Sequence, residues 1–278
     1  MKRLLHALCS ATLLAAATLA HADIDRPAAE SLVRKSGLWE QLAGVGPQVE
    51  AGIQQSLAQG GMAPGESEKA RLTQVIRMAY APERLRAVST GVIAARMRPQ
   101  HLNALRQWFD SPQGQAVTRV EEEAGSAQGD PNLAMKEGVA LLKSMPADRR
   151  KLLEDLLAAT HAADALVQIT IGTAVAAQVG VASTMPNGGA PSPAEVRGML
   201  EAQRPEMLKA FGAMMLASFA HTYAKIPSPQ LRQYVAFIRT PAGTHFNAAA
   251  MEAMAAALTD AAAEMGRRLP GTRDGRNT

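Results

Sequence analysis

The stretch Arg106-Gln-Trp-Phe-Asp-Ser-Pro-Gln-Gly-Gln-Ala-Val117, RQWFDSPQGQAV, returns in altered form as AFIRTPAGTHFN, Ala236 to Asn247. Placing Pro112 over Pro241 sets an offset of 129 residues, and the match runs backwards without a gap. Leu102 falls on Leu231, Leu105 on Tyr234, Trp108 on Phe237 and Phe109 on Ile238, all at helical spacing. Forwards, Ser111 falls on Thr240, Gly114 on Gly243 and Val117 on Phe246. Two copies of one helical unit are the reading, because self-similarity at a fixed offset is weighed before any single motif.

Each copy carries its own turn chemistry. Ser111 and Thr240 are N-cap residues, whose side-chain oxygens accept a bond from a backbone N–H two or three positions on. Pro112 and Pro241 then stand at the first helical position, where no N–H is missed. The unit is therefore a helix, a sharp break and a second helix, with the pairs Trp108-Phe109 and Phe237-Ile238 plugging the corner. Gly114 and Gly243 sit in the first turn, where glycine costs about 1 kcal/mol against alanine. Close approach of a neighbouring helix or ring compensates for that, or else an anion held at a bare helix N-terminus. Packing is favoured, since no lysine or arginine stands beside Gly114 within the motif.

The pattern of an aromatic pair followed by x-S/T-P-x-G, preceded by helix-spaced leucines, resembles the domain of unknown function 2059 family, exported bacterial helical proteins. It is carried by Trp108-Phe109-Asp110-Ser111-Pro112-Gln113-Gly114 and by Phe237-Ile238-Arg239-Thr240-Pro241-Ala242-Gly243, over stretches near 75–124 and 204–253. Neither copy has the tyrosine of the family core. The resemblance implies a helical fold and an envelope location, and brings no activity with it.

Composition agrees with the helical reading. Of 278 residues, 47% are apolar and only 4% aromatic, with alanine filling much of the apolar share. Alanine favours helices and disfavours strands, so the expected fold is all-α, packed through small side chains. Helices are expected near 26–36, 38–58, 66–80, 82–97, 99–109, 112–125, 131–143, 146–182, 193–226, 228–239 and 241–268. Pro47 and Pro205 fall inside these patterns and should kink or split them. Linker-like runs at Gly125–Pro131 and Thr184–Pro193 suggest two related lobes, 23–126 and 127–268, each closing its own core around its own copy of the motif, with a flexible basic tail over 269–278.

The first 22 residues read as an export signal. Lys2 and Arg3 precede a short apolar run, and Ala20-His21-Ala22 forms an A-x-A cleavage site before Asp23. A periplasmic or secreted mature chain follows, with the one cysteine, Cys9, removed and no disulfide expected. Losing Lys2 and Arg3 takes the basic count from 29 to 27 against 25 acids, too balanced for a nucleic-acid binder. Arg267, Arg268, Arg273 and Arg276 are read as part of the solvated C-terminal tail.

The segment from Ala165 to Ala194 holds no charged residue. Gln168, Thr170, Thr173 and Gln178 weaken a membrane reading, and Gly172, Ala176 and Gly180, four apart, line a helix face that another backbone can approach. A buried central helix is favoured over a strand or a stable membrane span. Met251, Met254, Leu258, Ala261 and Met265 form a second stripe, expected to face the core. A copper-type site would want several methionines converging with histidine, and only His245 is near, so no metal or other cofactor is assigned.

Catalytic constellations are scarce. His101, His161, His221 and His245 lie far apart in sequence, and Glu121, Glu122 and Glu123 read as a solvated helix face. There is no nucleophile elbow, P-loop or dinucleotide fingerprint. Three functions remain: a non-catalytic interaction or adaptor protein of the envelope whose partner is another envelope protein, a carrier of an apolar small molecule between helices, and an enzyme whose site assembles from distant residues.

Overall fold

Asp25 is the cap of the first helix: its Oδ1 accepts the Ala28 N–H at 2.7 Å and starts α1, Arg26–Lys35. The computed structural model describes residues 23–59, 65–125, 131–182 and 191–268. The expected signal peptide with Cys9, most of both linker-like runs and the 269–278 tail lie outside the described residues. Those described form helices and their connections, with no strand among them.

After α1 come α2 (Leu38–Gln59), α3 (Glu66–Ala79) and α4 (Pro82–Arg96), then a short 3-10 turn at Pro99–His101. The first copy of the motif supplies α5 (Leu102–Phe109) and α6 (Pro112–Gly125). They are followed by α7 (Pro131–Ser144), α8 (Ala147–Thr160), α9 (Ala162–Ala182), α10 (Pro193–Ala202) and α11 (Arg204–Thr222). The second copy supplies α12 (Ser228–Ile238) and α13 (Pro241–Arg268).

Two expected helices are each divided. The helix expected over 193–226 splits at Gln203, where Pro205 opens α11, as its missing N–H demands. The helix expected over 146–182 breaks at His161, which takes a left-handed φ of 51°. No glycine or proline marks that break. Instead the Asn247 side chain, 87 residues on, donates from Nδ2 to the Thr160 carbonyl at 2.9 Å and satisfies a helix end that local sequence leaves open. Pro47 does the reverse, since α2 runs through it unbroken.

Packing departs from the division into lobes 23–126 and 127–268. One hydrophobic cluster joins α1 to α5 with α13: Leu32, Leu42, Ile76, Leu85, Ile93 and Leu105 meet Phe246, Ala249, Ala253 and Ala257. The other joins Val117 of α6 to Leu153 and Leu156 of α8, Tyr223, and Leu231, Val235 and Ile238 of α12. Each cluster thus draws on both halves of the chain. The motif copies do not each close a core of their own; Phe237 packs against both clusters.

The deepest stripe of α13 is alanine, not methionine. Ala249, Ala253, Ala257 and Ala261 are almost wholly buried, and α9 and α4 lie along them. Small side chains let the axes approach, so that Ser89 Oγ of α4 reaches the Ala253 carbonyl at 3.3 Å. Met254, Leu258 and Met265 flank the stripe and are only partly buried. Gly172 of α9 lies against Thr259 of α13, and Val167, Ile171 and Ala176 are buried beside it, the close approach expected from the small-residue face. By length and composition α9 is also apolar enough to cross a membrane. Arg267 and Arg268 belong to the last turn of α13, where both pair with Glu264 at 2.5 Å.

Candidate functional site

The two breaks have the same local geometry. Ser111 Oγ donates to the Trp108 carbonyl at 2.7 Å and accepts the Gly114 N–H at 3.0 Å. Thr240 Oγ1 donates to the Phe237 carbonyl at 2.7 Å and accepts the Gly243 N–H at 3.0 Å. One hydroxyl thus staples the end of the first helix to the start of the second. The glycines are explained by the same corner: a Cβ on Gly114 would stand 2.0 Å from the Trp108 carbonyl oxygen, and one on Gly243 would stand 2.1 Å from that of Phe237. The approach is by the preceding helix of the same unit rather than by a distant neighbour.

The units then interlock. Helix α5 packs on α13 and α6 on α12, a reciprocal exchange of partners. At the crossing, the equivalent residues Trp108 and Phe237 stack on each other with centroids 4.4 Å apart and planes 7° from parallel. Phe109 meets Phe237 and Phe246 edge-on at 6.1 and 5.2 Å, and Tyr234 stacks on Trp108 at 5.8 Å. Such offset and T-shaped pairs add about 0.5–1.5 kcal/mol each beyond burial. Of the ten motif residues, Phe109 and Ile238 are the more deeply buried of their pairs, while Trp108 and Phe237 are partly buried.

Beside this aromatic crossing, between the two clusters, lies a partly open cavity of about 380 Å³. Phe109, Phe237 and Phe246 form one side. Met215, Ser218 and Phe219 of α11 form another, and Ala250, Met251 and Met254 of α13 a third. Helices α11 and α13 each pack on α9, and both border the cavity. The volume and apolar walls are those of a small-molecule pocket.

Among the described residues, one carboxyl borders this space. Glu121 of α6 accepts the Tyr223 O–H at 2.6 Å and the Tyr234 O–H at 2.9 Å, both on Oε1. Neither phenol engages Oε2. Protein atoms crowd the group, and desolvation pushes its pKa up, outweighing the lowering by the two phenols; the charge of Glu122 adds to the rise. Burial, reinforced by Glu121 itself, drives both tyrosine pKa values well above the usual phenol range, so both remain donors at neutral pH. The reading of Glu121 as part of a solvated face is therefore corrected: the first turns of α6 are clamped by the corner, and the next turn carries Glu121 under α12. Glu122 is pushed up by desolvation and by Glu40, and Glu123 is exposed.

Tyr234 was legible only as an apolar helix position, the counterpart of Leu105, and Tyr223 carried no mark beyond falling in the helix expected over 193–226. Their phenols were the missed signal, since a buried O–H requires a partner. The histidines do not converge on the cavity. His101 and His245 face each other at 5.1 Å near Arg96, His221 Nδ1 lies 3.3 Å from Glu137, and His161 ends α8. Among the described residues lining the cavity there is no histidine, lysine, arginine, cysteine or aspartate. The arrangement holds one carboxyl in a fixed orientation at the edge of an apolar space. Comparison with protein-family models, with characterised proteins and with solved structures finds no match to this chain.

Proposed function

We propose that this protein is an exported, non-catalytic binding protein that carries a small, mostly apolar molecule in the cavity between its two hydrophobic clusters. The observation that carries the reading is the cavity itself: about 380 Å³, walled by phenylalanines and methionines, with a single tyrosine-held carboxyl at its edge. Methionine and aromatic walls adapt to varied apolar shapes, while one polar group orients the guest. The signal-like segment before Asp23 supports export, and the resemblance to an exported helical family supports the same location.

Native mass spectrometry of the full chain, purified gently from its own host, should find a retained small organic molecule. The neutral fluorescent probe N-phenylnaphthylamine should compete with it. Filling the space from two different helices, by Ala250→Phe on α13 and separately by Ser218→Phe on α11, should abolish both signals at an unchanged melting temperature. Full retention in both folded variants would overturn the proposal. A second reading, an adaptor that docks another envelope protein, is favoured by the exposed Leu133, Val139 and Leu141 on α7. It predicts that charges placed at those three positions release a partner while leaving the probe bound.

A further inference from the structure

Among its described lining residues the cavity has an acid and no base. Helix α6 contributes Glu121, and every other element that borders the space contributes uncharged side chains: Gln41 from α2, Phe109 from α5, Thr160 from α8, Ala162 from α9, Ser218 and Thr222 from α11, Asn247 from α13. The titratable groups acting on Glu121 are Tyr223 after α11, Tyr234 on α12 and Glu122 beside it on α6. Arg149 of α8 directs its Nη2 to the Tyr223 carbonyl at 2.6 Å and its Nη1 to Ser228.

Two phenols donating to Oε1 are the support that a carboxylate anion wants, since charge-assisted bonds are the stronger ones. Among the described residues lining the cavity, however, no side chain supplies the countercharge. A guest that brings its own cation supplies it and gains the attraction of the surrounding ring faces as well. From this geometry we infer that the guest is an amphipathic amine, its ammonium bound to Oε2 of Glu121 and its apolar body against Phe237, Phe246 and Met251. The inference rests on the cavity reading above.

The raised pKa of Glu121 fits this assignment: desolvation is its main cause, and no cation is among the groups acting on it. Binding the ammonium draws the carboxyl into its ionised form, and the proton passes to water. Affinity for the amine therefore rises with pH across the titration of Glu121, until the amine itself deprotonates.

Three chains of one length separate the outcomes: decylamine, decanol and decanoate, each displacing N-phenylnaphthylamine from the full protein. Decylamine is expected to bind tightest and decanoate weakest. Glu121→Gln keeps an acceptor for both phenols and should weaken decylamine about tenfold or more, while leaving decanol unchanged, as loss of a charged hydrogen bond implies. Decanol equal to decylamine in the wild type, or decylamine unaffected by Glu121→Gln, would overturn the inference while leaving the cavity reading in place. So would failure of all three chains with the probe still bound. Failure of the probe as well would remove the cavity reading, and this inference with it.

Discussion

Alanine in place of Gly114 or Gly243 is expected to destabilise the protein, although alanine is the better helix former. The new Cβ would lie 2.0 Å from the Trp108 carbonyl oxygen in one case and 2.1 Å from that of Phe237 in the other. To reach even 3.0 Å, below which Cβ contacts are essentially never seen, the helices at the corner must part by about 1 Å. The obstacle is backbone, which cannot rotate away. Opening the corner strains the hydroxyl staple, costing about 1 kcal/mol, and disturbs the packing of Phe109 or Ile238, costing about 1–3. Helix propensity returns about 1. The net loss is about 1–3 kcal/mol at each site, a drop of roughly 2–12 °C in melting temperature for a chain of this size. Gly91, inside α4, is the control, because a Cβ there meets nothing within 4 Å. Gly91→Ala should stabilise by about 0.5–1 kcal/mol. Thermal unfolding followed by far-ultraviolet dichroism reads all three. If Gly114→Ala and Gly243→Ala melted at or above the wild type, alongside Gly91→Ala, the corner would not be what requires glycine.

Phe109→Ala removes a ring only 8% exposed that touches two others, and urea denaturation should report a loss of about 3–5 kcal/mol, against about 1 for Ser111→Ala or Thr240→Ala. His161→Gly relieves a left-handed residue that is exposed and makes the α8 end a regular glycine cap, so the melting temperature should rise by the equivalent of about 1 kcal/mol. Glu121 gives a pH signature of definite sign. With its folded-state pKa raised, the folded protein keeps a proton that the unfolded chain has already lost between the ordinary carboxylate value and the raised one, so stability falls as pH rises through that window. Denaturation curves across that range should show this slope in the wild type and a flatter one in Glu121→Gln, Glu122 supplying what remains; equal slopes would refute the assignment.

The helices were legible because their signals are local. Ser or Thr followed by proline starts a helix wherever it falls, alanine-rich periodic stretches continue it, and Pro205 ends one, since each acts within a turn of itself. The duplicated corner was legible for the same reason, down to the cap hydroxyls and the need for glycine. What lay beyond reach was the partner of each surface. The Thr160 carbonyl is capped by Asn247, and so the long helix breaks at a position where the local sequence favours continuing. The buried stripe of α13 is alanine because α9 and α4 approach it closely, whereas periodicity alone drew the eye to the larger methionines beside it. Glu121 stands in a run of three glutamates that any hydropathy pattern assigns to solvent, yet Tyr223 and Tyr234, more than a hundred residues away, cover the first of them. The sequence by itself determined the all-α class and the two helical breaks, because propensity and capping are nearest-neighbour effects. Only the tertiary structure decided that the breaks interlock instead of closing separate cores, and that one carboxyl borders an apolar cavity, because burial is conferred by residues distant in the chain.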